Sequence, residues 1–257
     1  MARLEDSLDT AAPDAEPAPH GGSDDILQVR NLQAGYGRKQ VVFDVDLSVK
    51  PGEIVGVLGH NGSGKSTTIR TILGIMPALG GRITFDGKDV TKANSRSNVK
   101  AGMAMIPSER FVFQDLSVID NLLLGGANDP DTVRRAKRLE LVQGLFPILV
   151  ERRDQLAGTM SGGQQRMVSL GMALMASPKL LMLDEPSLGL APAVVQQIFD
   201  TVRLLANEEG LAVLLLEQNV GQALRIVDRV AVMRSGRVIL EETVEQMRGR
   251  DSYWDLF

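Results

Sequence analysis

Eight consecutive residues, Gly59-His60-Asn61-Gly62-Ser63-Gly64-Lys65-Ser66, have the glycine-rich composition and closing Lys-Ser of a phosphate-binding loop. They follow an apolar run at residues 54–58 and open a helical stretch, the context such a loop requires. Glycines there let backbone N–H groups turn inward onto phosphate oxygens, and the helix N-terminus adds partial positive charge. Gly59, Asn61, Gly62, Ser63 and Gly64 form the cradle. Lys65 is expected to reach the β- and γ-phosphates of a nucleotide, Ser66 to ligate Mg²⁺, and Thr67 to bond a neighbouring phosphate. His60 fills a variable slot and is assigned no chemistry.

A second run, Leu180-Leu181-Met182-Leu183-Asp184-Glu185-Pro186, is an apolar strand ending in two acids. Asp184 fits the holder of a Mg²⁺ shell and Glu185 the residue that polarises an attacking water. Alone, such a pair is a solvated strand end; the upstream loop gives it meaning. A third run, Met160-Ser161-Gly162-Gly163-Gln164-Gln165-Arg166, enters a helix. Ser161, Gly162, Gly163 and Gln164 offer backbone amides, a hydroxyl and a helix dipole to a second phosphate group. One domain has no need of two γ-phosphate cradles. A head-to-tail pair does, with each ATP between one chain's Lys65 loop and the other's Ser161 turn.

The elements that position these runs follow from periodicity. Residues 26–32 and 41–49 alternate apolar and polar and read as an antiparallel layer. Residues 54–58 are continuously apolar, as in a strand covered on both faces. Residues 64–73 read as helix, and 82–85 and 102–106 as strands. Between about 118 and 175 the spacing turns helical, clearest at 118–124, 132–146 and 164–176, which predicts an inserted helical subdomain. Then strand 180–183, helix 191–208, strand 212–216, helix 220–226 and strands 229–233 and 237–240 predict a mostly parallel α/β sheet. Residues 1–25, rich in Ala, Pro, Asp and Gly, read as a disordered tail.

Composition narrows the function classes. The formal charge of −4 offers no bulk positive charge for nucleic acid. The absence of cysteine removes disulfides and thiolate metal sites. Each apolar run falls well short of the roughly 18 residues a membrane helix needs, so any tie to a bilayer is expected to pass through a partner.

In this order and spacing the motifs resemble the ATP-binding cassette of ABC transporters, over about residue 26 to the C-terminus. Met160 stands where most members have Leu. The resemblance implies an α/β P-loop NTPase fold with a mostly parallel core sheet, an antiparallel β subdomain and a helical subdomain. It implies ATP hydrolysis with ATP and Mg²⁺, driven by closure of two cassettes. Tyr36, between Gly35 and Gly37, looks like the aromatic that stacks on adenine. Ser187-Leu188-Gly189-Leu190 matches the loop that crosses to the partner cassette.

Two departures follow. Most cassettes carry a Gln after the proline at the end of the strand at 102–106; here Pro107 is followed by Ser108 and Glu109, so either Ser108 contacts the metal through water or Glu109 shifts into that role. Most also carry a His where this chain has Gln218, which can donate to a γ-phosphate oxygen but cannot take up a proton. Gln218 is thus a candidate catalytic residue with Glu185; capping of the following helix is its other reading. The run Glu217-Gln218-Asn219, with Glu185 to Pro192 and Arg110-Phe111-Val112-Phe113, resembles importer ATPases for branched-chain amino acids, of the LivF type. Ser252-Tyr253-Trp254 resembles their terminus only loosely. The partners this implies are a second cassette, identical or paralogous, membrane permease subunits and, indirectly, an extracytoplasmic binding protein, with no nucleic acid. The implied place is the cytoplasmic face of the inner membrane. Phe111, Val112, Phe113 and Leu116 are expected either to form a socket for a permease helix or to pack the insertion. Importers of urea or short-chain amides share the pattern. A non-transport ABC ATPase, or an ATP-binding switch with weak hydrolysis, is the alternative from another class.

Overall fold

The computed structural model describes residues 24–109, 112–250 and 252–253. The tail expectation for residues 1–23, and those on Arg110, Phe111 and Trp254, lie outside the described residues.

The chain opens with two long antiparallel strands, β1 (Leu27–Tyr36) and β2 (Lys39–Val49). Next come β3 (Ile54–Leu58), α1 (Lys65–Ile72), β4 (Gly80–Phe85), β5 (Lys88–Asp89), α2 (Ser95–Ala101) and β6 (Met103–Ile106). A helical stretch follows: α3 (Val118–Gly125), α4 (Thr132–Leu145), α5 (Pro147–Glu151) and α6 (Gly162–Met175). Alternation resumes with β7 (Leu180–Asp184), α7 (Pro192–Glu209), β8 (Ala212–Glu217) and α8 (Val220–Ala223), and closes with β9 (Arg229–Arg234), β10 (Arg237–Thr243) and α9 (Val244–Arg248).

Two sheets form. One is antiparallel, in the order β2-β1-β4-β5. The other runs β10-β9-β3-β8-β7-β6, parallel throughout except for the edge strand β10. The apolar runs of β3, β7 and β8 are explained by burial on both faces. Alternate residues feed two different cores. Ile54, Leu58, Leu181, Leu183, Val213 and Leu215 pack with α6, α7 and the helical lobe. Val55, Val57, Leu180, Met182, Leu214 and Leu216 pack with α1 and the antiparallel sheet. The core sheet is therefore the middle layer, and the ends of its central strands are rigid platforms.

Several boundaries differ from the periodicity reading. The alternation of residues 26–32 continues to Tyr36 because β1 pairs with β2 along its whole length, through register shifts. The helix expected at 220–226 ends at Ala223. The stretch 132–146 breaks at Phe146, where Pro147 starts a new helix in a position that suits its missing N–H. α2 had no signature: only Asn98 of its seven residues is buried, and Asn94 caps it by accepting from Ser97 N at 3.0 Å.

Candidate active site

β3 delivers the chain into a turn that closes on α1. Gly59 has no room for a side chain, since a Cβ there would meet Met233 O at 2.3 Å and Ser63 Oγ at 2.6 Å. Gly62 and Gly64 sit at φ 82° and 108°, in the left-handed region where an L side chain is strained. The turn wraps the Lys65 ammonium, which donates to Gly59 O at 2.6 Å and His60 O at 3.2 Å. Lys65 is 4% exposed, and only the cleft side of its head remains open. Ser63 Oγ is buried and has no hydrogen-bond partner among the described residues.

β7 brings the two acids to the same place and then parts them. The backbone turns left-handed at Glu185, φ 48°, an arrangement costly for a residue with a Cβ. Its N–H is held by Leu216 O at 2.9 Å. As a result Asp184 Oδ1 accepts from Ser66 Oγ at 3.0 Å, while Glu185 Oε1 lies 3.4 Å from Lys65 Nζ. Burial raises the Asp184 carboxyl above the ordinary range; the Ser66 hydroxyl opposes this, and neighbouring Glu185 adds to it.

Lys65, Ser66 and Glu185 line a cleft of about 520 Å³ together with Asn61, Gly62, Gly64, Thr67 and Tyr36, with Asp184 buried behind Ser66. Tyr36 is half exposed, and its hydroxyl is 3.4 Å from Thr67 Oγ1. The donor set fits a triphosphate: a buried cation, the Ser66 and Thr67 hydroxyls, a glycine turn and an open aromatic. Ser66 and Asp184 supply the hard oxygens a small divalent cation prefers. Among the described residues no group of three or more His, Cys, Asp or Glu could hold a metal ion.

Not every candidate residue is here. Ser161, Gly162, Gly163 and Gln164 do not line the cleft. Ser161 caps α6, accepting from Gln164 N at 3.3 Å, and Gln164 Oε1 accepts from Ser161 N at 3.1 Å. This capping box leaves Ser161 and Gly162 exposed. Ser108 does not line the cleft either; its carbonyl accepts from Arg166. Gln218 is exposed on the wall of a second hollow of about 790 Å³, shared with Glu185, Ser187 and Tyr253. The helix after it is capped by Asn219, which accepts from Gln222 N at 3.1 Å, so Gln218 is not the cap.

Three residues were not anticipated in their structural roles. Glu217 is buried beside Gln218 and accepts from Ser187 N at 3.0 Å; burial raises its carboxyl, against the hydrogen bonds from Ser187 and Asn219. Arg166 is buried on α6. Asn121, fully buried on α3, accepts from Phe113 N at 2.8 Å and donates to Phe113 O at 3.0 Å and Ser117 O at 2.9 Å. It pins the loop before α3, leaving Phe113 55% exposed while Val112 packs on the core. A polar side chain within an apolar helical run was the available signal for Arg166 and Asn121.

A phosphate-binding loop joining β3 to α1, two carboxylates at the end of a neighbouring parallel strand and an aromatic from an antiparallel layer together define a P-loop nucleotide hydrolase. Residues 42–188 match the ABC transporter family. The chain belongs to that family, as an ATP-hydrolysing cassette. It is 44% identical over 233 residues to the high-affinity branched-chain amino acid transport ATP-binding protein BraG of Pseudomonas aeruginosa, covering 89% of this chain and 99% of that protein. It is 36% identical over 219 residues to the lipopolysaccharide export system ATP-binding protein LptB of Escherichia coli, covering 84% and 90%. The ADP conformation of an ATP-binding cassette from an ABC transporter superposes with a TM-score of 0.81 at 27% identity, covering 90% and 98%.

Proposed function

We propose that this chain powers an importer of branched-chain amino acids, binding Mg-ATP between two cassettes. Its similarity to BraG along nearly the full length of both chains carries the substrate class, and is stronger than the similarity to the export protein LptB. Glu217-Gln218-Asn219 points the same way.

The cleft supports the roles as follows. Tyr36 stacks on the base, the loop 59–67 grips the phosphates through backbone N–H groups, and Lys65 neutralises their charge. Ser66 and Asp184 hold Mg²⁺, which when bound offsets charge on the phosphate oxygens. Glu185 orients the attacking water, and Gln218 donates to a γ-phosphate oxygen. Catalysis is positioning and charge stabilisation. Ser108 acts through water if at all.

The single observation behind a shared site is the exposed Ser161 turn, a phosphate-binding helix entry that its own cleft does not use. A second cassette, identical or paralogous, supplies that turn across the interface, with 187–190 as the crossing loop; Leu188 there is exposed. Exposed Phe113 and neighbouring Leu116 form part of the permease contact. No helix among the described residues is long and apolar enough to cross a membrane. The likeness to transporter ATP-binding proteins supports a place at the cytoplasmic face, held by the permeases, which receive substrate from an extracytoplasmic binding protein. The cassette begins at about residue 26 and carries the helical subdomain at about 118–175.

Deleting the gene and measuring uptake of labelled leucine, urea and acetamide tests the substrate class. Loss of leucine uptake alone is expected; loss of urea or amide uptake alone would reassign the importer. Light scattering of Glu185→Gln in Mg-ATP tests the shared site, and an exclusively monomeric species would remove it. A weak-hydrolysis switch is favoured by Ser108 lying outside the cleft; native turnover no faster than Glu185→Gln would establish it.

A further inference from the structure

The loop at 187–190 presents Leu188 and Gly189 to solvent. Its own backbone bonds are turn bonds: Leu188 N donates to Glu185 O at 3.2 Å, and Leu190 N to Ser187 O at 3.3 Å. Neither ties the loop to the sheet. Its exit is fixed by packing. The chain passes through Ala191 into α7, where Val194 lies so close to α6 that a Cβ on Gly163 would meet Val194 Cγ1 at 2.9 Å. Its entry is fixed from β8. The parallel ladder ends with Asp184 paired to Leu216, and the left-handed turn at Glu185 carries the following residues off the sheet. Instead of a ladder carbonyl, Ser187 N meets a side chain, donating to Glu217 Oε1 at 3.0 Å. Glu217 is 2% exposed, a depth at which a carboxylate needs donors. Its carbonyl accepts from Gly59 N, at the start of the phosphate-binding loop, at 3.3 Å. One residue thus touches the phosphate-binding loop through its backbone and the 187–190 loop through its side chain.

We propose that Glu217 is a positioning residue for hydrolysis, its carboxylate fixing the entry of the 187–190 loop relative to the phosphate-binding loop so that the crossing loop meets a second cassette in one register. The inference rests on the proposed crossing role of 187–190. A hydrogen-bond role of this kind has a signature that charge or bulk does not share. Glutamine keeps the length and an acceptor oxygen and loses the charge. Aspartate keeps the charge and falls one methylene short of Ser187 N. Methionine keeps most of the bulk and leaves the Ser187 N–H without its partner, the costly outcome for a group turned away from water.

The test compares the full chain with Glu217→Gln, Glu217→Asp and Glu217→Met in kcat, KM for ATP and amide hydrogen exchange. In Glu217→Gln, kcat is expected to stay within about threefold of native; in the Asp and Met variants it should fall at least about tenfold, with KM within about twofold throughout. The Ser187 and Leu190 amides should exchange about tenfold faster in the Asp and Met variants. The Glu185 amide, held by Leu216 O, should be unchanged. Glu217→Asp more active than Glu217→Gln would assign the role to charge and overturn the inference. Native kcat, or native exchange at Ser187, in Glu217→Asp would overturn it as well. Should the Met variant fail to fold, the order of the Gln and Asp variants decides alone. Exchange at Ser187 in a single cassette does not depend on pairing, whereas failure of the shared-site reading appears separately, as an exclusively monomeric Glu185→Gln in Mg-ATP.

Discussion

Lys65 Nζ and Glu185 Oε1 stand 3.4 Å apart at the base of the cleft, so the cation proposed to bind phosphate and the carboxylate proposed to orient water share one electrostatic site. An incoming triphosphate competes with Glu185 for the ammonium and is repelled by the carboxylate. Both effects disappear in Glu185→Gln. That variant should bind ATP about five- to tenfold more tightly, or about 1 kcal/mol, while turnover falls at least ~100-fold. Equilibrium nucleotide binding and phosphate release measure the two separately. Weaker binding by the variant would mean that Glu185 orients Lys65 rather than competing for it.

Gly59 is held by sterics, not by backbone conformation. A methyl group there points at the Met233 carbonyl, which is fixed in β9 and cannot swing away. Gly59→Ala should lose about 2 kcal/mol of stability and its ATP binding with it. Gly144 in α4 is the control: a Cβ there meets nothing within 4 Å, so Gly144→Ala should be neutral or gain up to about 1 kcal/mol. Denaturant midpoints of the two variants should move in opposite directions or differ clearly in size.

The buried carboxyls of Asp184 and Glu217 give a pH dependence of defined sign. Burial raises both above their unfolded values. Between the unfolded and folded pKa the native chain holds more protons, so stability is greater on the acid side and declines as pH rises through that window. Glu217→Gln removes one of the two contributions. Urea midpoints measured from about pH 5 to about pH 8 should fall less steeply for the variant than for the native chain. Equal slopes would mean that the Ser187 and Asn219 hydrogen bonds fully offset the burial of Glu217.

The nucleotide loop and the acidic strand were legible because each is a short contiguous string with one physical solution. β3 and β7 could also be read as doubly buried strands from unbroken apolar residues. The division of their faces between two cores could not, since it depends on which layers lie above and below. Glu185 adopts a left-handed backbone where sequence rules look for glycine. Arg166, Asn121 and Glu217 earn their places through contacts 58, 8 and 30 positions away in the chain. Periodicity carries no such information. The resemblance to the cassette family left Gln218 either beside the γ-phosphate or at a helix cap, and in the structure Asn219 does the capping.

Gln218 therefore remains the candidate for a γ-phosphate donor that exchanges no proton. Replacing it by histidine restores a titrating group on the same exposed wall. Gln218→His should retain ATP affinity and add an ionisation near ~6.5 to the pH–rate profile. Profiles that superimpose would place position 218 away from the reacting phosphate.

Gly162 separates folding from assembly. It is the first residue of α6, exposed, and a Cβ built on it meets nothing within 4 Å of its own chain. Within one cassette, Gly162→Ala should be neutral or stabilise α6 by up to about 1 kcal/mol, because alanine favours helix over glycine. In a closed pair the same methyl would stand between α6 and the partner's phosphates. Turnover should then fall at least about tenfold, a loss of roughly 1.4 kcal/mol in the transition state, and Gly162→Val should lose more. ATP binding to the isolated cassette should be untouched, since the turn lies outside its own cleft. Thermal melts, nucleotide binding and steady-state turnover on the same preparations check all three. Full activity in Gly162→Val would leave the space beside that turn open throughout the cycle, which a phosphate group shared between two cassettes does not allow.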